Sequence, residues 1–136
     1  MKAGLEDVIA GESSICYIDG IKGILAYRGY NIHELAPNAT FEEVCHLLWF
    51  GKLPNAAELK DTSDKMRASY ALPSGVIDLM RAMPKNALPM EVLRSATSAC
   101  SMYDPEAEDM SKEANVRKAI RLTAQCGTIV ATWDRI

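Results

Sequence analysis

The chain has 136 residues, a length that suits one domain and is too short for two of ordinary size. Hydrophobic residues make up 49% and charged residues 24%, which favours a globular chain over a disordered one. The net charge of −3 leaves no basic surplus for phosphates, which argues against a dedicated nucleic-acid binder. No apolar run approaches the roughly 18 residues that cross a bilayer. The amino terminus lacks the apolar core of a signal peptide, so we expect no membrane partner and a cytoplasmic location.

A short β-hairpin is predicted over residues 14–28. Two β-prone runs flank Asp19-Gly20-Ile21-Lys22-Gly23. Asp-Gly followed closely by a second glycine supplies the positive φ angles of a tight reversal. Gly29 offers a further turn directly after the hairpin.

Helical signals follow from residue 31 to residue 136, and they predict about six packed helices. Asn31 with Glu34, and Thr40 with Glu43, fit a capping box at a helix start. The remaining boundaries rest on these signals: Gly51 and Pro54 as stops, Asn55 as a start toward Tyr70, Ser74 as a cap before Pro84, Pro89 in a first turn, and Ser111 as the start of the last helix. The acidic stretch 104–110 is predicted to be a solvated loop. The fold class is therefore mainly α, in one segment covering residues 1–136.

The last helical pattern stops at Ile136 with no glycine or proline to close it. Trp133 and Ile136 are then expected beside a free terminus. We interpret the chain as part of a longer one. The alternative is a natural terminus that docks against a partner subunit.

Few residues here suggest chemistry. His33 and His46 are the only histidines, and we expect a solvated side chain for His33 and a core position for His46. A Cys45/His46 dyad is rejected because adjacent helical residues do not face each other. Glu42 and Glu43 are explained by the helix dipole. The sequence predicts no catalytic residue and no metal site within the chain.

Four cysteines are widely spaced and form no Cys-x-x-Cys pair: Cys16, Cys45, Cys100 and Cys126. This spacing favours reduced, mostly buried thiols over a disulfide framework or a metal site.

The order of segments resembles the amino-terminal region of the citrate synthase family. The segments that carry the resemblance, which 2-methylcitrate synthases share, are Gly4-Leu5-Glu6, Glu12-Ser13-Ser14-Ile15, Tyr17-Ile18-Asp19-Gly20, Gly23-Ile24-Leu25, Tyr27-Arg28-Gly29-Tyr30-Asn31-Ile32, Thr40-Phe41-Glu42-Glu43-Val44, Leu47-Leu48-Trp49, Gly51-Lys52-Leu53-Pro54, Pro89-Met90, Val92-Leu93-Arg94 and Thr128-Ile129-Val130-Ala131. Together they cover nearly the whole chain. The fold implied is the amino-terminal part of the citrate synthase large domain.

The resemblance implies an enzyme that condenses an acyl-CoA with oxaloacetate. In the family an aspartate removes a proton from the thioester, histidines stabilise the enol and polarise the ketone, and arginines hold the carboxylates. Those residues lie carboxy-terminal to this segment, so none is carried onto the chain. The coenzyme A thioester is a substrate, and no cofactor is implied.

Three positions depart from the family pattern. Leu88 stands where a histidine often precedes the Pro-Met pair, and Gly127 stands where proline is usual. Ala3 replaces an arginine that contacts coenzyme A in some members. Lys2 beside it is the one substrate-binding candidate, although a weak one.

A homodimer is implied, because the helices that match Pro89–Met102 and Ser111–Ile136 belong to the family's dimer interface. Small or apolar residues on both segments fit close helix packing: Ala96, Ala99, Cys100, Ala124, Gly127, Thr128 and Ala131.

Two hypotheses remain open. The first is an amino-terminal fragment of a citrate synthase, or of a 2-methylcitrate synthase acting on propionyl-CoA, that is inactive alone. The second is a free-standing, non-catalytic helical interaction module. A reading frame continuing past Ile136 into a segment rich in histidine and glycine favours the first, and a stop codon favours the second. Whether a parent enzyme is dimeric or hexameric is left open.

Overall fold

The fold is mainly α-helical, as predicted, with a small sheet ahead of the helices. The computed structural model describes residues 11–136, so Lys2 and Ala3 lie outside the described part. In that part the strands are β1 (Cys16–Asp19), β2 (Ile24–Tyr27) and β3 (Tyr30–Asn31), and the helices are α1 (Ile32–Asn38), α2 (Phe41–Phe50), α3 (Ala56–Ala68), α4 (Ser74–Ala82), α5 (Pro89–Cys100) and α6 (Lys112–Arg135). A 3₁₀ turn, Ser101–Tyr103, continues α5.

The predicted hairpin is confirmed, and a third strand extends it. β1 pairs antiparallel with β2, with Cys16 opposite Tyr27, and β2 pairs antiparallel with the two-residue β3. At the reversal Gly23 has φ +65°, whereas Gly20 does not adopt a positive φ. The Lys22 N–H donates to Asp19 Oδ1 at 3.0 Å, so the aspartate side chain holds this end of the loop.

Arg28, directly after β2, bonds to the segment before β1 and to α2. Its backbone is left-handed, with φ +49°, directly before Gly29 at φ +90°. The guanidinium donates to Ser14 Oγ at 2.6 Å and to the Leu48 carbonyl at 2.8 Å. A cation near the carboxyl end of α2 is also favoured by the helix dipole. The turn after β2 is thereby held against the start of β1 and the end of α2.

The starts of α1 and α2 follow the capping signals. The Asn31 side chain caps α1 by accepting from the His33 N–H at 2.9 Å, so the predicted capping box with Glu34 is wrong although the cap itself is present. At Thr40 both halves of the capping box form: the Glu43 N–H donates to Thr40 Oγ1 at 3.3 Å, and the Thr40 N–H donates to Glu43 Oε2 at 2.7 Å. Gly51 ends α2 at φ +81°, where a side chain would be strained.

One predicted cap is wrong. Ser74 is the first residue of α4, and the residue before it, Pro73, is the cap. Pro73 has ψ 139°, so it is the last residue with extended backbone before the helix. Its carbonyl accepts from the Val76 N–H at 3.0 Å. The start of α5 at Pro89 and the capping of α6 by Ser111, whose Oγ accepts from the Ala114 N–H at 3.3 Å, are confirmed.

The contacts divide the chain into two compact units, Met1–Leu59 and Lys60–Ile136, with the boundary inside α3. In the first unit the buried side chains are those of Leu35, Cys45, His46 and Leu47. In the second unit α4, α5 and α6 share a core formed by Val76, Met80, Val92, Ala96, Ala99, Cys100 and Ile129. None of the helices in the described part is both long enough and apolar enough to cross a membrane.

The end of α6 packs against its own unit. Trp133 and Ile136 are partly buried and pack against the core of the second unit. Lys85 lies over the Trp133 ring, with its Nζ 5.9 Å from the ring centroid. The two apolar residues expected beside a free terminus are therefore partly covered within the same unit.

Candidate functional site

A cavity of about 230 Å³ lies in the second unit, where the 3₁₀ turn and the following loop meet α6. Its volume is below the roughly 300 Å³ of the smallest ordinary ligand pockets. The polar groups that line it come from Tyr103, Asp104, Lys118, Arg121 and Gln125. Two cations and one carboxylate therefore face one small space.

The start of α4 forms part of this cavity through Pro73, and Gly75 beside it packs against Tyr103. A methyl group at Gly75 would overlap the Tyr103 hydroxyl. The absent side chain thus allows the tyrosine ring to lie against the first turn of α4.

Arg121 is the centre of an ion-pair network between the loop and α6. Its guanidinium donates to Asp104 Oδ2 at 2.5 Å and to Glu106 Oε2 at 3.2 Å. Arg117, one helical turn earlier, donates through Nε to both Glu106 oxygens, at 2.9 and 3.1 Å. The prediction of a solvated acidic loop is therefore wrong for Asp104 and Glu106, which the arginines of α6 hold in place.

These contacts change the pKa values of both carboxyl groups. For Glu106, the hydrogen bond from Arg117 is the largest influence and lowers the pKa. For Asp104, partial burial acts to raise the pKa, but the hydrogen bonds from Arg121 and the Glu106 N–H and the nearby cations outweigh it, so the pKa is lowered. Both groups are ionised at neutral pH.

Lys118 is also engaged, because its Nζ donates to the carbonyls of Ala107 at 3.2 Å and Asp109 at 2.6 Å. Both cations of the cavity therefore already bond to the loop, Arg121 through carboxylates and Lys118 through carbonyls. Cys100 lines the cavity too, but burial, and then the charge of Cys126, raise the pKa of its thiol, which makes it a poor nucleophile. The lining residues hold a loop in place, and they include no histidine.

The two histidines lie where the sequence predicts them. His33 is exposed on the first turn of α1, and His46 is buried in α2, with its ring centroid 4.4 Å from that of Phe50. Burial, and then the charge of Glu42, raise the pKa of the neighbouring Cys45 thiol. This thiol is therefore not activated, in agreement with the rejected dyad.

All four cysteines are free thiols, but the prediction that they are mostly buried holds only for Cys45 and Cys100. Cys16 is exposed on β1, and Cys126 is half-buried in α6.

The small-residue faces proposed for dimerisation need a correction. Ala96, Ala99 and Cys100 of α5, and Ala124 of α6, are buried in the second unit, so they do not form an exposed face. Gly127 and Ala131 of α6 are exposed. The small residues on α5 permit close packing within the chain, because the same spacing suits an internal helix contact.

Comparison with known proteins identifies the fold. A family model described as "Citrate synthase, C-terminal domain" matches residues 4–136. Citrate synthase 2 of Bacillus subtilis is 42% identical over 134 residues, which cover 98% of this chain and 36% of that protein. A 2-methylcitrate synthase of Mycobacterium tuberculosis is 38% identical over 131 residues, which cover 96% of this chain and 33% of that protein.

Among solved structures, the citrate synthase of Pyrobaculum aerophilum matches with a TM-score of 0.88 and 38% identity, over 96% of this chain and 35% of that one. The small sheet followed by packed helices is thus a fold found in citrate synthases. The chain belongs to the citrate synthase family. It spans about a third of the length of the curated relatives it matches.

Proposed function

We propose that the chain is the amino-terminal part of a citrate synthase, the enzyme that condenses acetyl-CoA with oxaloacetate to citrate and coenzyme A. The observation that carries this proposal is that nearly the whole chain matches citrate synthases while covering about a third of their length. The matched family model is described as the C-terminal domain, so the amino-terminal position rests on the order of the resembling segments from Gly4 onward.

In this proposal the chain contributes structure, and the groups that carry out the condensation come from other polypeptide. The cavity supports this division, because both of its cations bond to a loop of the chain and its lining includes no histidine. The acyl-CoA enters as a substrate, with no resident cofactor. Lys2, outside the described residues, remains a weak candidate for binding coenzyme A.

The test is an assay of free coenzyme A released from acetyl-CoA and oxaloacetate. The purified 136-residue chain is expected to release none above the uncatalysed rate. The same chain joined to the remainder of the Bacillus subtilis enzyme is expected to release it. Turnover by the chain alone would contradict the proposal, as would an inactive, folded joined protein.

A 2-methylcitrate synthase is the second candidate, favoured by the 38% identity to the Mycobacterium tuberculosis enzyme of that name. Competition between propionyl-CoA and acetyl-CoA, in the protein that contains this chain, distinguishes the two. A chain that binds a synthase without any condensation activity would instead support a non-catalytic helical module.

We also propose self-association through Pro89–Met102 and Ser111–Ile136. The faces that support it are the exposed ones: Met90 and Met102 on the α5 side, and Gly127, Val130 and Ala131 on α6. Exposed apolar residues beside small ones allow two helices to approach closely. A cytoplasmic location stays a prediction.

A further inference from the structure

The small sheet of the first unit has an apolar face that the described residues leave partly uncovered. In an antiparallel sheet, directly opposed residues point to the same side, so Ile18 opposite Leu25, Cys16 opposite Tyr27, and Tyr30 opposite Tyr27 share one face. None of these five side chains is charged. Ile18 is 68% exposed and Tyr30 is 40% exposed. A sheet this small needs cover on such a face to be stable.

Within residues 11–136, β1 is an edge strand of the same sheet. The Arg28 N–H donates to the Ile15 carbonyl at 2.9 Å, so Ile15 and Arg28 form a hydrogen-bonded pair. Hydrogen-bonded pairs alternate along an antiparallel ladder, which turns the backbone groups of Tyr17 and Asp19 toward β2. The N–H and C=O groups of Cys16 and Ile18 therefore point away from β2.

Among the described residues, β1 pairs only with β2. Charged side chains and proline commonly prevent pairing at an edge; β1 has no proline, and Asp19 at its end is its one charged residue. The uncharged part of the edge, at Cys16 and Ile18, is able to accept a short added strand, which contributes main-chain hydrogen bonds and apolar side chains at alternate positions.

The comparisons indicate which polypeptide is able to pair with the β1 edge. The chain corresponds to 36% of the Bacillus subtilis relative and 35% of the Pyrobaculum aerophilum structure. Most of each of those proteins therefore has no counterpart among these residues. The five side chains of this face carry no charge, although Asp19 and Arg28 flank it in the sequence. Such a face suits an extended segment whose inward side chains are uncharged.

We propose that the β1 edge and the apolar face of Cys16, Ile18, Leu25, Tyr27 and Tyr30 dock an extended segment from the polypeptide that forms the remainder of a citrate synthase. This inference rests on the proposed function. The docked segment pairs with the backbone of Cys16 and Ile18 and covers the Ile18 side chain.

The test compares amide hydrogen exchange in two proteins: the 136-residue chain alone, and the chain joined to the remainder of the Bacillus subtilis enzyme. Joining is expected to slow exchange of the Cys16 and Ile18 amides by at least about 100-fold. The Tyr17 amide, paired with β2 in both proteins, is the internal reference. Equal exchange of Cys16 and Ile18 in the two proteins would overturn the proposal, as would a joined protein that stays unfolded.

Two lysine variants distinguish an effect at the docking face from a general effect of adding a charge to the surface. In the joined protein Ile18→Lys is expected to abolish the added protection, because it places a charge on the docking face. Met110→Lys, at a residue 76% exposed in the second unit, is expected to leave the protection intact. Loss of protection in both variants, or in neither, contradicts the assignment.

Two further outcomes distinguish this inference from its premise. A joined protein with protected amides but no condensation activity supports the docking and refutes the function. An active joined protein with unprotected amides refutes the docking alone. Protection in the isolated chain that increases with concentration identifies a second copy as the occupant and also overturns the proposal.

Discussion

At the scale of single residues, the arginines of α6 decide how the loop after α5 is held. Arg117 and Arg121 are four residues apart, so they lie on one face of the helix. Asp104 and Glu106 are too far away in sequence for local pattern to reveal the pairing. The spacing of the arginines was the available signal, but their partners became evident only from the packed structure.

Replacing Arg121 with methionine keeps the apolar stem and removes the ion pairs with Asp104 and Glu106. We expect the free energy of unfolding to fall by about 1 kcal/mol, discounted for the partial exposure of these groups. Urea denaturation measures the change. The control is Arg81→Met, which removes the exposed pair with Asp78 and is expected to cost less than about 0.5 kcal/mol. Equal losses in both variants would contradict the importance of the network.

The same network predicts a dependence of stability on pH. The pKa values of Asp104 and Glu106 are lowered in the folded chain from their ordinary values of 3.8 and 4.5. The unfolded chain therefore takes up protons first, so this stabilisation is present above those ordinary values and is lost as the pH falls through the lowered ones. Urea denaturation between neutral and acid pH is expected to show a smaller acid loss in Arg121→Met than in the unaltered chain.

At the scale of elements, local chemistry set most boundaries. The capping box at Thr40, the left-handed Gly51 and the proline at the start of α5 each depend on residues within one turn, so they were predictable. The two-residue β3 was missed because it is too short to carry a periodic pattern. Ser74 was misjudged as a cap because the backbone of Pro73 already provides the change of direction.

Thr40→Ala removes the oxygen that accepts from the Glu43 N–H at the start of α2. We expect the unfolding free energy to fall by about 1 kcal/mol, the usual cost of losing a cap. Thr40→Ser keeps the hydroxyl and serves as the matched control. If the serine variant loses as much as the alanine variant, the cap is not the source of the effect.

Two adjacent residues of α4 differ in burial, and their variants test the assignment of the core. Met80 is fully buried in the core of the second unit, whereas Leu79 is 41% exposed. Met80→Ala is expected to cost about 2–5 kcal/mol because a cavity remains. Leu79→Ala loses less buried area and is expected to cost about 1 kcal/mol or less. Thermal unfolding followed by circular dichroism ranks the two, and the reverse order would contradict this assignment of the core.

At the scale of the whole molecule, a covered helical core is combined with apolar surface that residues 11–136 leave uncovered. Val130 is 55% exposed and lies beside Gly127 and Ala131 on α6. Such a surface suits contact with further polypeptide. The family match over about a third of the relatives' length gives the same expectation.

Val130→Glu places a charge on this face of α6 and is expected to weaken self-association at least tenfold. Val130→Ala, which only shortens the side chain, is the control and is expected to retain association. Sedimentation velocity over a range of concentrations measures both. An unaltered chain that stays monomeric, or a glutamate variant that associates equally well, would contradict the proposed interface.

The sequence by itself determined the family, the hairpin and the helix order, because these depend on residues close together along the chain and on ordered segments that persist across relatives. Only the tertiary structure decided which faces are buried. Ala96 and Ala99 pack inside the second unit, and the acidic residues of the loop meet arginines at least eleven residues away. The physical reason is that burial and ion pairing depend on which elements meet in space, and helical periodicity identifies a face without identifying what covers it.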